Sequence, residues 1–188
     1  LVRATPGGVV RWRRELPWAS PHLDLVALAS GFALAHAAEG LLWLDASTGA
    51  IAQAEPGAVV LASGLEGALV RLGGGDLALL RPGRRAPAWT AAGPAALSAR
   101  MVPGRVLWLA GGHLHIADST TGKVRGTPLA VPEGARWLAA EGRHAVLGAG
   151  RQVQLIDVLA GEERARLAGP AEAIAAAAEE SGVLVAFE

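Results

Sequence analysis

Apolar residues in this chain come in short runs closed by Gly, Pro or an acidic residue, and almost nowhere at the three-and-four spacing of an amphipathic helix. Such runs, separated by tight-turn residues, read as β-strands. The clearest is Leu42-Trp43-Leu44-Asp45-Ala46-Ser47-Thr48-Gly49, an apolar strand followed by Asp, three residues and Gly. The same shape returns around Asp118 (Leu114 to Gly122) and Asp157 (Gln154 to Gly161), 73 and 39 residues further on. The longer interval is about two repeat units, and a degenerate copy, Leu77-Ala78-Leu79-Leu80-Arg81, divides it with Arg81 in place of Asp. A fifth copy opens the chain at Leu1 to Gly8, with Ala4 in that place. Trp12 and Trp89 each follow the Asp position by eight residues, so they hold the same place in the repeat.

Each unit contains four apolar segments, which predicts an all-β chain: a five-bladed β-propeller of four-stranded antiparallel blades. The expected strands are 23–29, 32–37, 41–45 and 51–55; 58–63, 68–72, 76–81 and 86–90; 96–100, 105–110, 113–118 and 124–127; and 136–140, 144–149, 152–157 and 163–167. These fill a single domain, 1–188, as blades 22–55, 57–90, 95–128 and 134–167. The closing blade is shared, with two inner strands from 172–188 and two outer strands from 1–16, so that no sheet edge is left open. Ala171 to Glu180 has the composition of a helix, but its place in the repeat assigns it to a strand. The first strand of each unit is rich in Ala, which suits a narrow centre where sheets converge.

Seventeen basic residues balance seventeen acidic ones, evenly along the chain, so no positive cluster is available for nucleic acid or an anionic membrane. No apolar stretch reaches the roughly 18 residues of a membrane-spanning helix, and no membrane insertion is expected. The absence of Cys removes disulfides, thiolate metal sites and cysteine nucleophiles, and leaves the compartment open.

The unit at Leu42 to Gly49 resembles the quinoprotein-type (PQQ-like) repeat of the WD40-like propellers: an apolar strand, Asp, a Thr-Gly turn and a Trp four residues after the Gly. Gly8 to Trp12 keeps the Gly-to-Trp spacing and Asp118 to Gly122 keeps the turn, whereas Gln53, Gly126 and Ala165 stand at the Trp position. The resemblance implies structural roles. Asp45, Asp118 and Asp157 would cap turn amides, Gly49, Gly122 and Gly161 would take positive φ, and Trp12 and Trp89 would dock on a neighbouring blade. Family enzymes use eight blades and a metal-bound cofactor, about twice this length, so the resemblance points to the non-catalytic branch, with no cofactor. That branch includes envelope scaffolds and sensor domains of membrane kinases, which favours an extracytoplasmic or a signalling setting.

Little else in the chain carries chemistry. His113 and His115 share a strand face, but two ligands make no metal site, and His22, His36 and His144 fall in other units. Asp24 is the best acid for a glycosidase-like centre, but the equivalent strands bring Ala rather than a second carboxylate. Gly73-Gly74-Gly75 lacks the Lys and helix of a phosphate loop and reads as a hairpin turn. Most Trp residues fall within strands, as core packing. Trp18 with His22, near Arg13 and Arg14, and the separate Arg84-Arg85 turn form the expected exposed partner surface. The expected function is a non-enzymatic scaffold for another protein, or for another domain of the same polypeptide. A small-molecule or lectin-like glycan-binding propeller is the alternative.

Overall fold

The computed structural model describes residues 1–4, 6, 8–18, 23–27, 31–92, 98–179 and 182–188. The chain divides into two compact units, residues 1–93 and 94–188.

In the first unit, β1 (Val2–Ala4) pairs with β2 (Val10–Arg13) as a two-stranded antiparallel sheet. Two four-stranded antiparallel sheets follow. One runs in chain order through β3 (Asp24–Ala27), β4 (Phe32–Ala37), β5 (Gly40–Asp45) and β6 (Ile51–Pro56). The next is β7 (Val59–Gly64), β8 (Gly67–Arg71), β9 (Leu77–Leu80) and β10 (Trp89–Ala91).

The second unit has the same plan in mirror order along the chain. Its two four-stranded sheets are β11 (Ser98–Val102), β12 (Arg105–Ala110), β13 (His113–Asp118) and β14 (Leu129–Ala130), then β15 (Arg136–Glu141), β16 (His144–Ala149), β17 (Gln152–Asp157) and β18 (Glu162–Ala168). A two-stranded sheet ends it, β19 (Ala173–Glu179) against β20 (Gly182–Phe187). Cross-strand pairing with β20 overrides the helical propensity of the Ala-rich segment in β19. The architecture is therefore all-β, built from repeated four-stranded antiparallel sheets.

The two middle strands of a sheet are covered on both faces, which explains their mostly apolar runs. On β5, Leu41 and Trp43 face β8 and β9 through Ala68, Val70, Ala78 and Leu80. Leu42 and Leu44 point the other way, onto Leu1, Leu16 and Trp18. In the second unit, Leu107, Leu109, Leu114 and Ile116 meet Ala145, Leu147 and Ile156, while Val146 and Val153 meet Ala173, Val183, Val185 and Phe187. The outer strand β18 is polar and displays Glu163, Arg164 and Arg166. Close strand approach requires glycine at Gly67, where a side chain would meet the Leu80 carbonyl.

Two expected strands are altered. The segment 124–127 makes only an isolated bridge, Ala117 with Val124, and the fourth strand of that sheet is the short β14. Gly126 turns left-handed at φ 63° and Pro128 has no amide to donate, so the ladder breaks between them. The fourth strand of the preceding sheet begins only at Trp89, after Pro87, rather than at Ala86. Ala96 and Leu97, expected in a first strand, lie outside the described residues.

Candidate interaction site

The residues with the most elaborate polar chemistry are the three Asp at the ends of β5, β13 and β17. Each begins a turn that a left-handed glycine completes, with φ 71° at Gly49, 70° at Gly122 and 75° at Gly161. The glycine amide donates to the carbonyl of the Asp at 2.8, 2.9 and 2.8 Å respectively. One carboxylate oxygen, Oδ1, then accepts the next two free amides. For Asp45 these are Ser47 and Thr48, both at 2.9 Å. For Asp118 they are Thr120 and Thr121, at 3.0 and 2.9 Å. For Asp157 they are Leu159 and Ala160, at 3.0 and 2.9 Å.

Around this common core the support differs. Asp45 also accepts the hydroxyls of Ser47 and Thr48, at 2.6 and 3.0 Å. The Ser47 hydroxyl, then the amide and hydroxyl of Thr48, hold its carboxyl down at about 2, from an ordinary 3.8. Asp118 accepts the Thr121 hydroxyl at 3.1 Å and pairs with Arg105 at 3.2 Å. Its carboxyl is lowered first by the Thr121 amide. Asp157 has Leu159 and Ala160 where hydroxyls would be, and its Oδ2 takes two guanidiniums instead: Arg143 at 2.7 Å and Arg164 at 2.6 Å. Its side chain is only 1% exposed, while those of Arg143 and Arg164 are 52% and 48% exposed. The bond from Arg143 is the main cause of a strongly lowered Asp157 carboxyl.

The turns also differ in what covers them. The Asp45 turn is clasped by the preceding two-stranded sheet. The Trp12 ring lies over Gly49, so close that a side chain there would meet it at 2.6 Å, and the indole N–H donates to the Ala46 carbonyl at 3.1 Å. Arg14 donates to the Gly49 carbonyl at 2.8 Å, and Arg3 also donates to Ala46. The strand position that supplies Trp12 in this clasp is Gly126 in the second unit, opposite the Asp157 turn. A side chain placed on Gly161 or on Gly126 would meet nothing within 4 Å. Arg125 reaches across, donating to the Leu159 carbonyl at 3.3 Å. Beside it opens a depression of about 440 Å³ lined by Asp118, Thr121, Lys123, Val124, Arg125 and Gly126. The Asp157 turn is thus a bare shelf, with Leu159 46% exposed on it.

The residues expected to form a partner surface are not brought together. Trp18 is half-buried against Ala35, Leu42 and Leu44, so its indole serves packing rather than projecting as an exposed anchor. Arg14 is held by Gly49 in the clasp, whereas Arg13 is exposed on β2. Arg84 and Arg85 are exposed on the turn between β9 and β10. His22 lies outside the described residues. Trp89 is buried on β10. His115 stacks on Trp108, with ring centroids 5.1 Å apart and planes 4° from parallel, and burial lowers its imidazole below the usual value. His113 instead faces the Gly111 carbonyl at 2.8 Å. Asp24 is exposed, 3.9 Å from His36. No group of three or more potential metal ligands occurs among the described residues. Sequence reasoning missed Lys123, Arg125, Arg143, Leu159 and Arg164. The one signal for them was Gly126 standing where the repeat places Trp.

No family model and no curated protein matches the chain. Solved structures do. The computationally designed Ika8 protein is similar over 95% of this chain and 59% of its own, with a TM-score of 0.70 and 15% identity. BamB from Moraxella catarrhalis is similar over 85% of this chain and 52% of its own, with a TM-score of 0.55 and 17% identity. Apo AztD from Citrobacter koseri is similar over 81% and 48%, with a TM-score of 0.58 and 11% identity. The chain spans about half the length of these structures. At such identities the likeness is one of fold, and the fold it establishes is that of the β-propellers.

Proposed function

We propose that the protein is a non-enzymatic scaffold whose turns bind another protein, or another domain of its own polypeptide. The observation that supports this reading is how the turns use their polar groups. Asp45, Asp118 and Asp157 are engaged with their own amides, hydroxyls or neighbouring guanidiniums. The cations Arg13, Arg84, Arg85, Lys123 and Arg125 are instead displayed at the surface. A carboxylate saturated in this way is a poor proton carrier at neutral pH, because its pKa lies far below the working range. Rigid turns that display cations, by contrast, suit partner recognition, to which electrostatic complementarity adds specificity and on-rate.

The test is capture on immobilised protein from a native extract, followed by mass spectrometry, with an Arg84→Ala, Arg85→Ala variant alongside. Recovery of a stoichiometric protein that the variant loses is the expected result and places the surface. Recovery of no protein, together with a hit in a glycan and metabolite screen, would favour ligand binding instead. The observation on the side of that second reading is the depression beside Lys123 and Arg125.

A further inference from the structure

We infer that the bare shelf over the Asp157 turn is a docking point for an aromatic side chain carried on an acidic segment of the partner protein. The inference rests on the scaffold reading and names where and what that scaffold holds.

The first argument is steric. Two equivalent turns in one chain differ at the glycine: a side chain on Gly49 would run into the Trp12 indole, and one on Gly161 would meet nothing within 4 Å. The backbone that receives an indole is the same in both, down to the left-handed glycine and the amide cradle on Oδ1. Val158, in the place of Ala46, is fully buried and offers an incoming ring no acceptor. Such a ring would find a glycine floor at Gly161, where a side chain would meet nothing within 4 Å. It would also find Leu159, an apolar side chain 46% exposed where the covered turn has the polar Ser47. An exposed apolar side chain beside an open glycine floor suits an aromatic ring.

The second argument is electrostatic. Three of the carboxylates nearby are already matched, Asp157 with Arg143 and Arg164, Asp118 with Arg105, and Glu163 with Arg166, while Glu162, next to Gly161, is exposed. Among the described residues, Lys123 and Arg125 enter no ion pair, and both line the depression next to the shelf. A ring placed there lies beside cations, which favours cation–π contact, and the residues flanking it on the partner meet Lys123 and Arg125 in excess over Glu162. The complementary occupant is therefore a peptide with Trp among Asp and Glu, rather than a basic or neutral one.

The test uses the whole chain and a short fluorescein-labelled peptide bearing one Trp among Asp and Glu, titrated by fluorescence anisotropy. Binding with a dissociation constant on the order of 10–100 μM is expected. Roughly tenfold weakening is expected for the peptide with Trp→Ala, for the peptide with its acids made amides, and for the Lys123→Glu, Arg125→Glu protein. Leu159→Asp should weaken binding similarly, and because Leu159 is partly exposed the variant keeps its fold, which circular dichroism checks. No binding by the wild-type protein, or equal binding by the Trp→Ala peptide or by both protein variants, overturns the inference. Equally tight binding of free indole-3-acetate overturns it in favour of a small-molecule site. If capture from extract recovers a partner whose binding the Lys123→Glu, Arg125→Glu protein retains, this inference fails while the scaffold reading stands. If no partner is recovered, the scaffold reading fails with it.

Discussion

In the first unit, Asp45 is surrounded by hydroxyls and its turn lies under an indole. In the second, Asp157 is surrounded by guanidiniums and its turn lies bare. The backbones agree: the same pair of amides donates to Oδ1, and the same left-handed glycine returns its amide to the Asp carbonyl. The turn itself therefore needs only Asp and Gly. Ser47, Thr48 and Trp12 are one way to reinforce it, and Arg143 and Arg164 are another. The second way draws its support from the side, along the sheet, rather than from above. That leaves the upper surface of the turn open to something outside its own sheets.

The largest effect comes from removing the cover where it exists. Trp12→Ala strips the ring from Gly49 and leaves the Ala46 carbonyl with only Arg3. Truncating a buried Trp costs roughly 3–5 kcal/mol, and because Trp12 is half-buried a loss of about 2–3 kcal/mol is expected in urea unfolding. A loss below about 0.5 kcal/mol, in the range of ordinary surface changes, would mean that the indole does not stabilise the turn, and the bare shelf would no longer count as unusual.

Asp157→Ala comes next. It strands the Leu159 and Ala160 amides and unpairs two guanidiniums. An unsatisfied buried group costs about 1–3 kcal/mol, but half-exposed guanidiniums recover water, which holds the expected loss to about 2 kcal/mol. Arg143→Ala alone should cost less, since Arg164 remains on the same oxygen. If Arg143→Ala proved as costly as Asp157→Ala, the two guanidiniums would not be alternatives to each other.

How far these features could be read from the sequence depended on burial. Residues 32–37, 105–110, 113–118, 144–149 and 152–157 are strands with the bounds the pattern predicts. Most of them are middle strands covered on both faces, where nearly every interior position is apolar, Gln154 and the Trp108-stacked His115 apart, and the ends are marked by Asp or Gly. Outer strands are constrained on fewer sides, and there Gly126 and Pro128 displaced the fourth strand of one sheet without any change of hydrophobic pattern. The Asp and Gly turn positions were legible because turn geometry depends on local residues. The guanidiniums on Asp157 were not. Arg143 precedes the residue paired with Asp157, and Arg164 sits at a register shift in the β17–β18 ladder, so both contacts depend on pairing across strands. Trp18 was misread as exposed because its neighbours in sequence are polar and Pro-rich, while the surface it covers, Ala35, Leu42 and Leu44, is distant in sequence.

Acid separates the two kinds of support. Asp45 has a folded value of about 2 against an ordinary 3.8. Its contribution to stability is therefore complete above about pH 4 and is lost as the pH falls toward 2. The Asp157 carboxyl is lowered further by Arg143, so its contribution should persist to lower pH. Urea midpoints measured between pH 5 and 2 should fall less steeply for Asp45→Asn than for wild type, because one titrating group has been removed. Parallel curves would show that the hydroxyl cage around Asp45 has no bearing on acid stability.

The smallest expected effect gives the most direct test of interchangeability. Leu159→Ser with Ala160→Thr rebuilds at Asp157 the hydroxyl pair that serves Asp45. In the wild-type background the change should lie within about 0.5 kcal/mol, the usual range for partly exposed positions, because the two guanidiniums on Oδ2 already draw on the carboxylate charge that hydroxyls on Oδ1 would share. In the Arg143→Ala background the same pair should recover part of the lost stability, since the hydroxyls then face a weaker ionic competitor for the carboxylate. A double-mutant cycle isolates that difference. A coupling near zero would mean that hydroxyls and guanidiniums stabilise different things, the turn in one case and the seam between strands in the other. The open shelf would then follow from the loss of Trp at position 126 alone, independent of how Asp157 is anchored.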